Sequence, residues 1–167
     1  MDRPSNIDEE LLGRGLPPIE LAVHLATAKA HALASQYPED VVLAADTVVA
    51  FGETILGKPA NAEHARSMLD LLAGTTHIVI TGVAVEFRNR GVLIVQRVLS
   101  AVRMKSISSS QIDQYVASGQ WRGKAGGYGI QDADPFVQRL AGCHTNIVGL
   151  PMTTTRQMLQ SVGIYPM

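Results

Sequence analysis

The pattern of apolar and polar positions predicts a helix followed by a buried strand. Apolar residues recur at helical spacing after Pro17 and Pro18, which predicts a helix to about Ser35. Its apolar positions are Leu21, Leu25, Ala28 and Ala32. Proline suits the first turn, where a missing N–H costs no hydrogen bond. The apolar run 41–45 resumes at 48–51, and its β-branched content favours a buried strand.

The later segments continue this alternation of helices and strands. In chain order they are a helix from Asn61 to Leu72, strands at 77–87 and 92–104, a helix at 111–117, short strands at 136–140 and 146–148, and a helix at 153–162. Asn61 is a typical N-cap. The serines at 108–110 are expected to cap the helix at 111–117, with Asp113 three residues after Ser110 at the spacing of a capping box, which prefers Glu or Gln. The order predicts an α/β fold, a single domain over 1–167 with a mixed β-sheet flanked by helices.

Composition excludes several classes of protein. The 167 residues are 46% hydrophobic and 17% charged with a net charge of -1, which is typical of a globular chain and gives no sign of a nucleic-acid or membrane partner. The first residues have no apolar core of a signal peptide, so we expect a cytoplasmic protein. Cys143 is the one cysteine; it excludes an internal disulfide, and we expect it in the core.

Asp46 is the first candidate for chemistry. It interrupts an apolar strand, where a carboxylate is costly to bury unless it is used or paired. A functional carboxylate is the favoured interpretation, and a salt-bridged Asp at a strand bend is the alternative.

Lysines and glycines provide the other candidates. Lys58 follows Gly57, a pair that alone indicates a surface turn, and no Walker A pattern is present. The segment 122–131 is rich in glycine and could aim backbone N–H groups at an anion, with a flexible linker as the alternative. Gln131 could read a base edge, although a single Gln is usually solvated. Lys29 is also expected to be solvated unless it faces the same cleft as the other lysines.

Together these residues indicate hydrolysis of a phosphate ester or anhydride. Three lysines, Lys29, Lys58 and Lys124, could neutralise charge that develops on phosphate oxygens. Asp46 could deprotonate water or hold a metal ion.

Five blocks resemble the Maf family of nucleotide pyrophosphatases, in the family's order. They are LAADTVV at 43–49, ILGKP at 55–59, GTTHIVITGV at 74–83, KAGGYGIQ at 124–131 and NIVGLP at 146–151. Each block alone is weak, and together they are specific. The resemblance extends from about Ile7 to the C-terminus.

The resemblance implies an activity and a set of site residues. It implies hydrolysis between the α and β phosphates of a nucleoside triphosphate with a divalent cation, Mg²⁺ or Mn²⁺, in a fold that is often a homodimer. Asp46 matches the family's proton acceptor, and Lys29, Lys58 and Lys124 match its basic positions. Thr47 and Gln131 match positions that set base preference in the dTTP/UTP branch. Glu9 matches an acidic position near the site, which with Asp46 suggests metal ligation.

The Gln131 amide also indicates a substrate. It can accept a hydrogen bond from the N3–H of thymine or uracil and donate to a ring carbonyl, which favours dTTP and UTP over 7-methyl-GTP.

Two departures from the family pattern stand out. Relatives begin with a Ser-x-Ser-Pro-Arg-Arg type loop that lies upstream of the first residue here. Either the start is misplaced or the protein is shortened; the second case would expose a sheet edge or apolar face and predicts poor solubility and weak activity. Asp132 stands where many relatives carry Gly.

Two other functions remain open at this stage. One is a non-catalytic nucleotide-binding or regulatory protein, because the family has been linked to septum formation. The other is a general α/β phosphohydrolase that acts on sugar phosphates. Binding without turnover would indicate the first, and a product other than pyrophosphate would indicate the second.

Overall fold

Helices surround one sheet in a computed structural model that describes residues 4–5, 7–132 and 136–165. The elements are α1 Glu9–Gly13, α2 Pro18–Gln36, β1 Val42–Phe51, β2 Thr54–Leu56, α3 Ala62–Leu72, β3 Thr76–Phe87, β4 Val92–Met104, α4 Ser109–Ser118, β5 Val137–Ala141, α5 His144–Val148 and α6 Met152–Ser161. Short 3₁₀ turns lie at Arg88–Arg90 and Ala125–Gly127. Residues 1–3 and 6, which enter the signal-peptide prediction, lie outside the described residues.

The strands follow the order β2-β1-β3-β4-β5, which confirms the α/β sheet flanked by helices. The sheet is antiparallel at each pairing among the described strands, so the expected mixture of parallel and antiparallel pairs is not seen there. The reason is the strand order: β2 and β3 run in the same direction, but β1 lies between them. β3 is buried along most of its length because both of its faces are covered.

Helix α2 packs against β1 and β3 through a row of alanines. The fully buried positions include Ala22, Ala26, Ala30 and Ala34, spaced four residues apart. Of the stripe expected from the sequence, only Leu25 belongs to the buried set; Leu21, Ala28 and Ala32 are partly exposed. Small residues form the contact between α2 and the sheet because the helix approaches the sheet backbone very closely at Gly82. Larger side chains would not fit there.

The opposite face of the sheet carries the largest apolar cluster, formed with α3 and α4. Its members include Val49, Met68, Leu69, Leu72, Val79, Met104, Ile112 and Tyr128. Asn61 caps α3, as predicted, by accepting a hydrogen bond from His64 N. Of the serines at 108–110 that were expected to cap α4, Ser108 is the N-cap, but the capping box expected at Ser110 and Asp113 is wrong. Helix α4 begins earlier, and Ser108 and Gln111 form the box with reciprocal bonds.

The segment 144–148 is a helix and not the strand predicted over 146–148. The β-branched Ile147 and Val148 favoured a strand, but tertiary contacts override that propensity. Asn146 is fully buried and donates to the carbonyl oxygen of Val79 at 3.1 Å and to Ser100 Oγ at 3.0 Å. These bonds hold the short helix α5 against β3 and β4.

Strand β1 has one edge that β2 covers only in part. Their register pairs Val49–Phe51 with β2, so the stretch 42–48 has no strand partner on that side within the described ranges. Residues from both faces of β1 can therefore reach a ligand at this edge.

In the described part of the chain no helix is both long and apolar enough to cross a membrane. Cys143 is half-buried at the start of α5, outside the expected core.

We predict that Gly82→Ala destabilises the fold. A Cβ at this position would lie 2.6 Å from the carbonyl carbon of Ala22 and 2.8 Å from Val23 Cα, both in the backbone of α2. Because neither atom can rotate away, we expect a loss of about 2 kcal/mol or more in the free energy of unfolding, measured in urea. Gly57→Ala is the matched control: a Cβ there meets nothing within 4 Å, and its cost should stay below about 0.5 kcal/mol. Equal stability of the two variants would contradict this account.

Candidate active site

A cavity of about 350 Å³ lies at the uncovered edge of β1. Its wall includes Lys29, Ala45, Asp46, Thr47, Val49, Lys58, Val79, Gly123, Lys124, Ala125, Tyr128, Gln131, Ile147, Val148 and Gly149. The volume falls in the range of small-molecule sites. Three of the four lysines in the chain border this one cavity, so it presents several cationic groups to a ligand.

Lys29 joins two carboxylates at one end of the cavity. Its Nζ lies 2.5 Å from Asp46 Oδ1 and 2.8 Å from Glu9 Oε1. The side chains of Lys29 and Asp46 are only 17% and 11% exposed, so this is a shielded ion pair and not a surface contact. Asp8 caps α1 by accepting from Leu11 N at 2.9 Å, which places Glu9 in the first turn beside α2.

These contacts shift the pKa values of both partners upward. Burial raises the pKa of Asp46 above its usual value; Lys29 offsets part of this shift, while the charge of Glu9 adds to it. Burial lowers the pKa of Lys29, but the hydrogen bonds to Asp46 and Glu9 outweigh it and the net shift is upward. Lys29 is therefore charged at neutral pH, and Asp46 is a stronger base than an exposed carboxylate.

The other two lysines differ in how they are paired. Lys58 is exposed and has no ion-pair partner among the described residues, so its charge is available to a ligand. Lys124 is paired with Asp132 Oδ1. The second oxygen of Asp132 accepts from Tyr115 Oη at 2.7 Å and from Gly129 N at 3.1 Å. Asp132 thus fastens both ends of the glycine-rich loop to α4.

The glycine-rich loop is packed against the core. Gly126 and Gly127 are buried with φ of 70° and 73°, a left-handed conformation that favours glycine. A Cβ on Gly126 would lie 3.2 Å from Val49 Cγ2. Gly126 N also donates to Gly57 O at 3.0 Å, which ties this loop to the segment that carries Lys58. The alternative of a flexible linker is therefore wrong for this part of the loop.

The wall of the cavity also has an apolar part. Val49, Val79 and Ile147 contribute aliphatic surface, and Tyr128 contributes a ring. Tyr128 Oη lies 2.6 Å from Nε2 of the buried His77. Burial lowers the pKa of His77 to about 4, so the imidazole is neutral at pH 7 and adds no charge beneath the cavity.

The structure brings together the residues expected from the sequence. Asp46, Lys29, Lys58, Lys124, Thr47 and Gln131 all line the cavity, and Glu9 contacts it through Lys29. Their individual roles stay predictions. Lys29 faces the same cavity as Lys58 and Lys124, which is the condition under which more than a solvated lysine was expected, and two carboxylates hold it. Asp46 is ion-paired, as the alternative interpretation required, yet its partner belongs to the same cavity.

Other members of the site escaped the sequence reasoning. Tyr128, Ile147 and Gly149 were part of recognised blocks, but no property of those residue types alone singled them out as cavity lining. Asp132 was noted only as a departure from the family. The sequence did offer a sign of its role: Asp132 follows a glycine-rich loop that contains a lysine. A carboxylate so close to a lysine in the chain can form an ion pair with it.

The carboxylates at the Lys29 end fit a divalent cation that is shared with a ligand. Lys29 contacts only one oxygen of Asp46 and one of Glu9, so each carboxylate keeps an oxygen for coordination. Mg²⁺ is commonly held by one or two carboxylates together with phosphate oxygens. No group of three or more His, Cys, Asp or Glu side chains that could hold a metal occurs within the described ranges, so the protein alone does not form a complete cage.

Comparison with known proteins identifies the family. The chain matches the Maf-like protein family over residues 2–162. It belongs to that family. A dTTP/UTP pyrophosphatase of Cereibacter sphaeroides is 48% identical over 163 residues, which cover 96% of this chain and 82% of the relative. The dTTP/UTP pyrophosphatase of Roseobacter denitrificans is 46% identical, with 96% and 84% covered, and that of Sphingopyxis alaskensis is 48% identical, with 95% and 82% covered.

The Maf-like blocks of the sequence converge on the cavity. The block 43–49 supplies Asp46 and Thr47, and 55–59 supplies Lys58. The blocks 74–83, 124–131 and 146–151 each contribute further lining residues: Val79; Lys124, Ala125, Tyr128 and Gln131; and Ile147, Val148 and Gly149. Segments that are far apart in the chain thus share one cavity wall.

We predict opposite shifts of the Asp46 pKa in two variants of the metal-free protein. Lys29→Met removes a contact that lowers this pKa, so it should rise further. Glu9→Gln removes a negative charge that raises it, so it should fall. A carbon-detected NMR titration of the Asp46 carboxyl, with EDTA present and the wild type alongside, measures both. Shifts of the same sign would show that Lys29 and Glu9 do not act on Asp46 as the geometry requires.

Proposed function

We propose that this protein hydrolyses nucleoside triphosphates, with dTTP and UTP preferred, to the monophosphate and pyrophosphate. The observation that carries the proposal is the convergence of Lys29, Lys58 and Lys124 around Asp46 in one cavity with an apolar wall. Relatives named dTTP/UTP pyrophosphatase, 46–48% identical over nearly the whole chain, support the same reaction. The lysines suit the triphosphate, and the apolar wall suits the base.

In this mechanism Asp46 accepts a proton from the attacking water. The water oxygen bonds to the α-phosphorus, the bond from that phosphorus to the oxygen bridging to the β-phosphate breaks, and pyrophosphate leaves. Lys29 holds the Asp46 carboxylate in place through their 2.5 Å contact. Lys58, whose charge is not paired within the described ranges, stabilises negative charge on the departing pyrophosphate, and Lys124 binds the phosphates near the glycine-rich loop.

A divalent cation, Mg²⁺ or Mn²⁺, would supply positive charge that the side chains of the cavity lack. The three lysines face three carboxylates, those of Asp46, Glu9 and Asp132, so the site alone offers little net positive charge to a triphosphate. Asp46 and Glu9 would hold the cation together with phosphate oxygens. When bound, it would neutralise phosphate charge and polarise the phosphorus–oxygen bonds.

The base end of the site is formed by Thr47, Gln131 and the apolar wall. Gln131 is exposed at the rim and makes no hydrogen bond within the described ranges, so its amide is free to pair with a base. We further propose that the chain is a single Maf-like domain that works as a homodimer, as the family resemblance implies, and that it acts in the cytoplasm, where nucleoside triphosphates are available. Neither nucleic acid nor a membrane is needed for the reaction.

Asp46→Asn should greatly reduce turnover and leave the fold intact. The amide cannot accept the proton of the attacking water, so we expect kcat to fall by about 10²-fold or more. The assay incubates the protein with Mg²⁺ and dTTP, UTP, CTP, GTP or 7-methyl-GTP and measures monophosphate and pyrophosphate separately. Equimolar release from dTTP or UTP supports the proposal.

Controls separate the chemistry from general effects of substitution. Glu86→Gln alters a carboxylate that is also buried but lies outside the cavity, so it should retain turnover. Lys58→Ala should lose turnover, whereas Lys105→Ala, at the one lysine outside the cavity, should not. Full activity of Asp46→Asn would refute its role as the base. Binding of nucleotide without any release of pyrophosphate would favour a regulatory protein, and release of inorganic phosphate alone would favour a general phosphohydrolase.

Gln131→Glu should change the ranking of substrates. A carboxylate accepts hydrogen bonds but cannot donate to a ring carbonyl, so kcat/KM for dTTP and UTP should fall by about tenfold relative to 7-methyl-GTP, the nucleotide that the Gln131 amide is expected to disfavour. Gln138→Glu, at an exposed position of β5 outside the cavity, is the matched control and should leave the ranking unchanged. An unchanged ranking of substrates in Gln131→Glu would show that Gln131 does not select the base.

A further inference from the structure

The hydroxyl group of Thr47 contacts the hydroxyl group of a buried neighbour, Thr81. The two residues are paired across β1 and β3, and their Oγ1 atoms lie 2.8 Å apart. Thr47 Oγ1 is also 3.3 Å from the carbonyl oxygen of Gly149, and Thr81 Oγ1 is 3.3 Å from that of Asn146. Thr81 has no exposed surface, whereas Thr47 borders the cavity. A ligand can therefore contact only Thr47.

The two hydroxyl protons can fill at most two of the three contacts, and two placements do so while keeping a proton between the two hydroxyl oxygens. Either Thr81 donates to Thr47 and Thr47 donates to Gly149 O, or Thr47 donates to Thr81 and Thr81 donates to Asn146 O. If both donated to the carbonyls, two oxygens 2.8 Å apart would face each other without a proton between them. In both satisfactory arrangements the proton of Thr47 points into the protein. Its oxygen then keeps a lone pair for the cavity.

Gln131 does not have this fixed polarity. It has no hydrogen-bond partner within the described ranges, so its amide can rotate and present either its oxygen or its NH₂ group to a base. An amide that can rotate accommodates both a base with a ring N–H and a base with a ring acceptor. Discrimination between them needs a group whose polarity the protein holds.

We propose that Thr81 is a positioning residue that holds the Thr47 hydroxyl as a hydrogen-bond acceptor in the cavity. The site would then select bases that present a ring N–H, as uracil and thymine do, over cytosine, whose N3 is itself an acceptor. The inference rests on the proposed function, because it assigns the substrate class of the same site. A base without this N–H would leave the Thr47 oxygen without a hydrogen-bond partner. A site whose polar group is left unpaired in this way binds the base much more weakly.

The surroundings allow Thr81 to be tested without disrupting the fold. In Thr81→Val the isosteric side chain fills the same space, and Asn146 O keeps its bond from Gly149 N at 3.1 Å. Thr47 keeps only its longer contact, 3.3 Å to Gly149 O, so its hydroxyl can stay satisfied but is no longer held by the 2.8 Å contact and can turn its proton toward a base. The side-chain bonds of Asn146 to Val79 O and Ser100 Oγ do not involve Thr81, so α5 stays anchored.

The test measures binding and not turnover. Isothermal titration calorimetry with Mg²⁺ compares the α,β-methylene analogues of UTP and CTP, which resist cleavage at the bond in question. The wild type should bind the UTP analogue more tightly. Thr81→Val should reduce this preference by about fivefold, the scale of one hydrogen bond, and Thr81→Ser should restore it. Thr155→Val, which removes another buried hydroxyl outside the cavity, is the matched control and should not change it.

Each outcome bears on the inference separately from the proposed activity. An unchanged preference in Thr81→Val overturns it, as does equal binding of both analogues by the wild type. Should Thr81→Val fold poorly by thermal denaturation, Thr81→Ala removes the same hydroxyl and must show the same loss of preference. A wild type that prefers the UTP analogue but releases no pyrophosphate from UTP would refute the proposed activity, while the Thr81 variants would still decide the origin of the preference.

Discussion

The close approach of α2 to β3 at Gly82 is the constraint on which the site depends. Gly82 lies opposite Asp46 in the pairing of β1 and β3, and the backbone of α2 passes directly over it. The alanine row of α2 keeps the helix close to the sheet along its length. Lys29, two turns after Ala22, can therefore reach the Asp46 carboxylate. A larger residue at position 82 would displace the helix and separate the two charges.

The lysines of the cavity are of two kinds: two are ion-paired with carboxylates, and one is available to a ligand. Lys29 and Lys124 are each held by carboxylates, and such shielded pairs are retained only when the partners are well placed. Lys58 sits in a short exposed segment after β2, and no carboxylate holds it within the described ranges. The first arrangement favours fixed geometry, and the second leaves a cation for an incoming phosphate. A site that has to bind and then release a charged product needs both.

The sequence predicted the elements whose local signals agree with their packing. The hairpin of β3 and β4, the helices α2 and α3 and the strand through Asp46 follow from periodicity and capping residues. The segment 144–148 could not be predicted because its helix depends on Asn146 reaching Val79 and Ser100, residues about 50 to 70 positions away. The alanine face of α2 was missed for a similar reason. Leucine gives a stronger periodic signal, but the sheet backbone selects the smaller residue.

The site residues show the same division. Asp46 and the lysines were found because a charge in an apolar run or beside glycine stands out in the sequence. Their pairing could not be read from the chain, because Lys29 and Asp46 are 17 positions apart on different elements. The role of Thr81 is even harder to predict from the sequence. A threonine in a β-strand is ordinary by propensity, and its contact with Thr47 exists only because the register places those two residues opposite each other.

The uncovered edge of β1 explains how one strand can serve both ends of a nucleotide. Successive side chains of a strand point to opposite faces, so Asp46 lies on the α2 side while Thr47 and Val49 lie on the side of α3 and α5. In the interior of a sheet these two environments would be separated by the neighbouring strand. At an edge without a partner they open into one cavity, and a ligand can contact both. Adjacent residues can then act on the phosphates and on the base, because the pleat of the strand aims them in different directions.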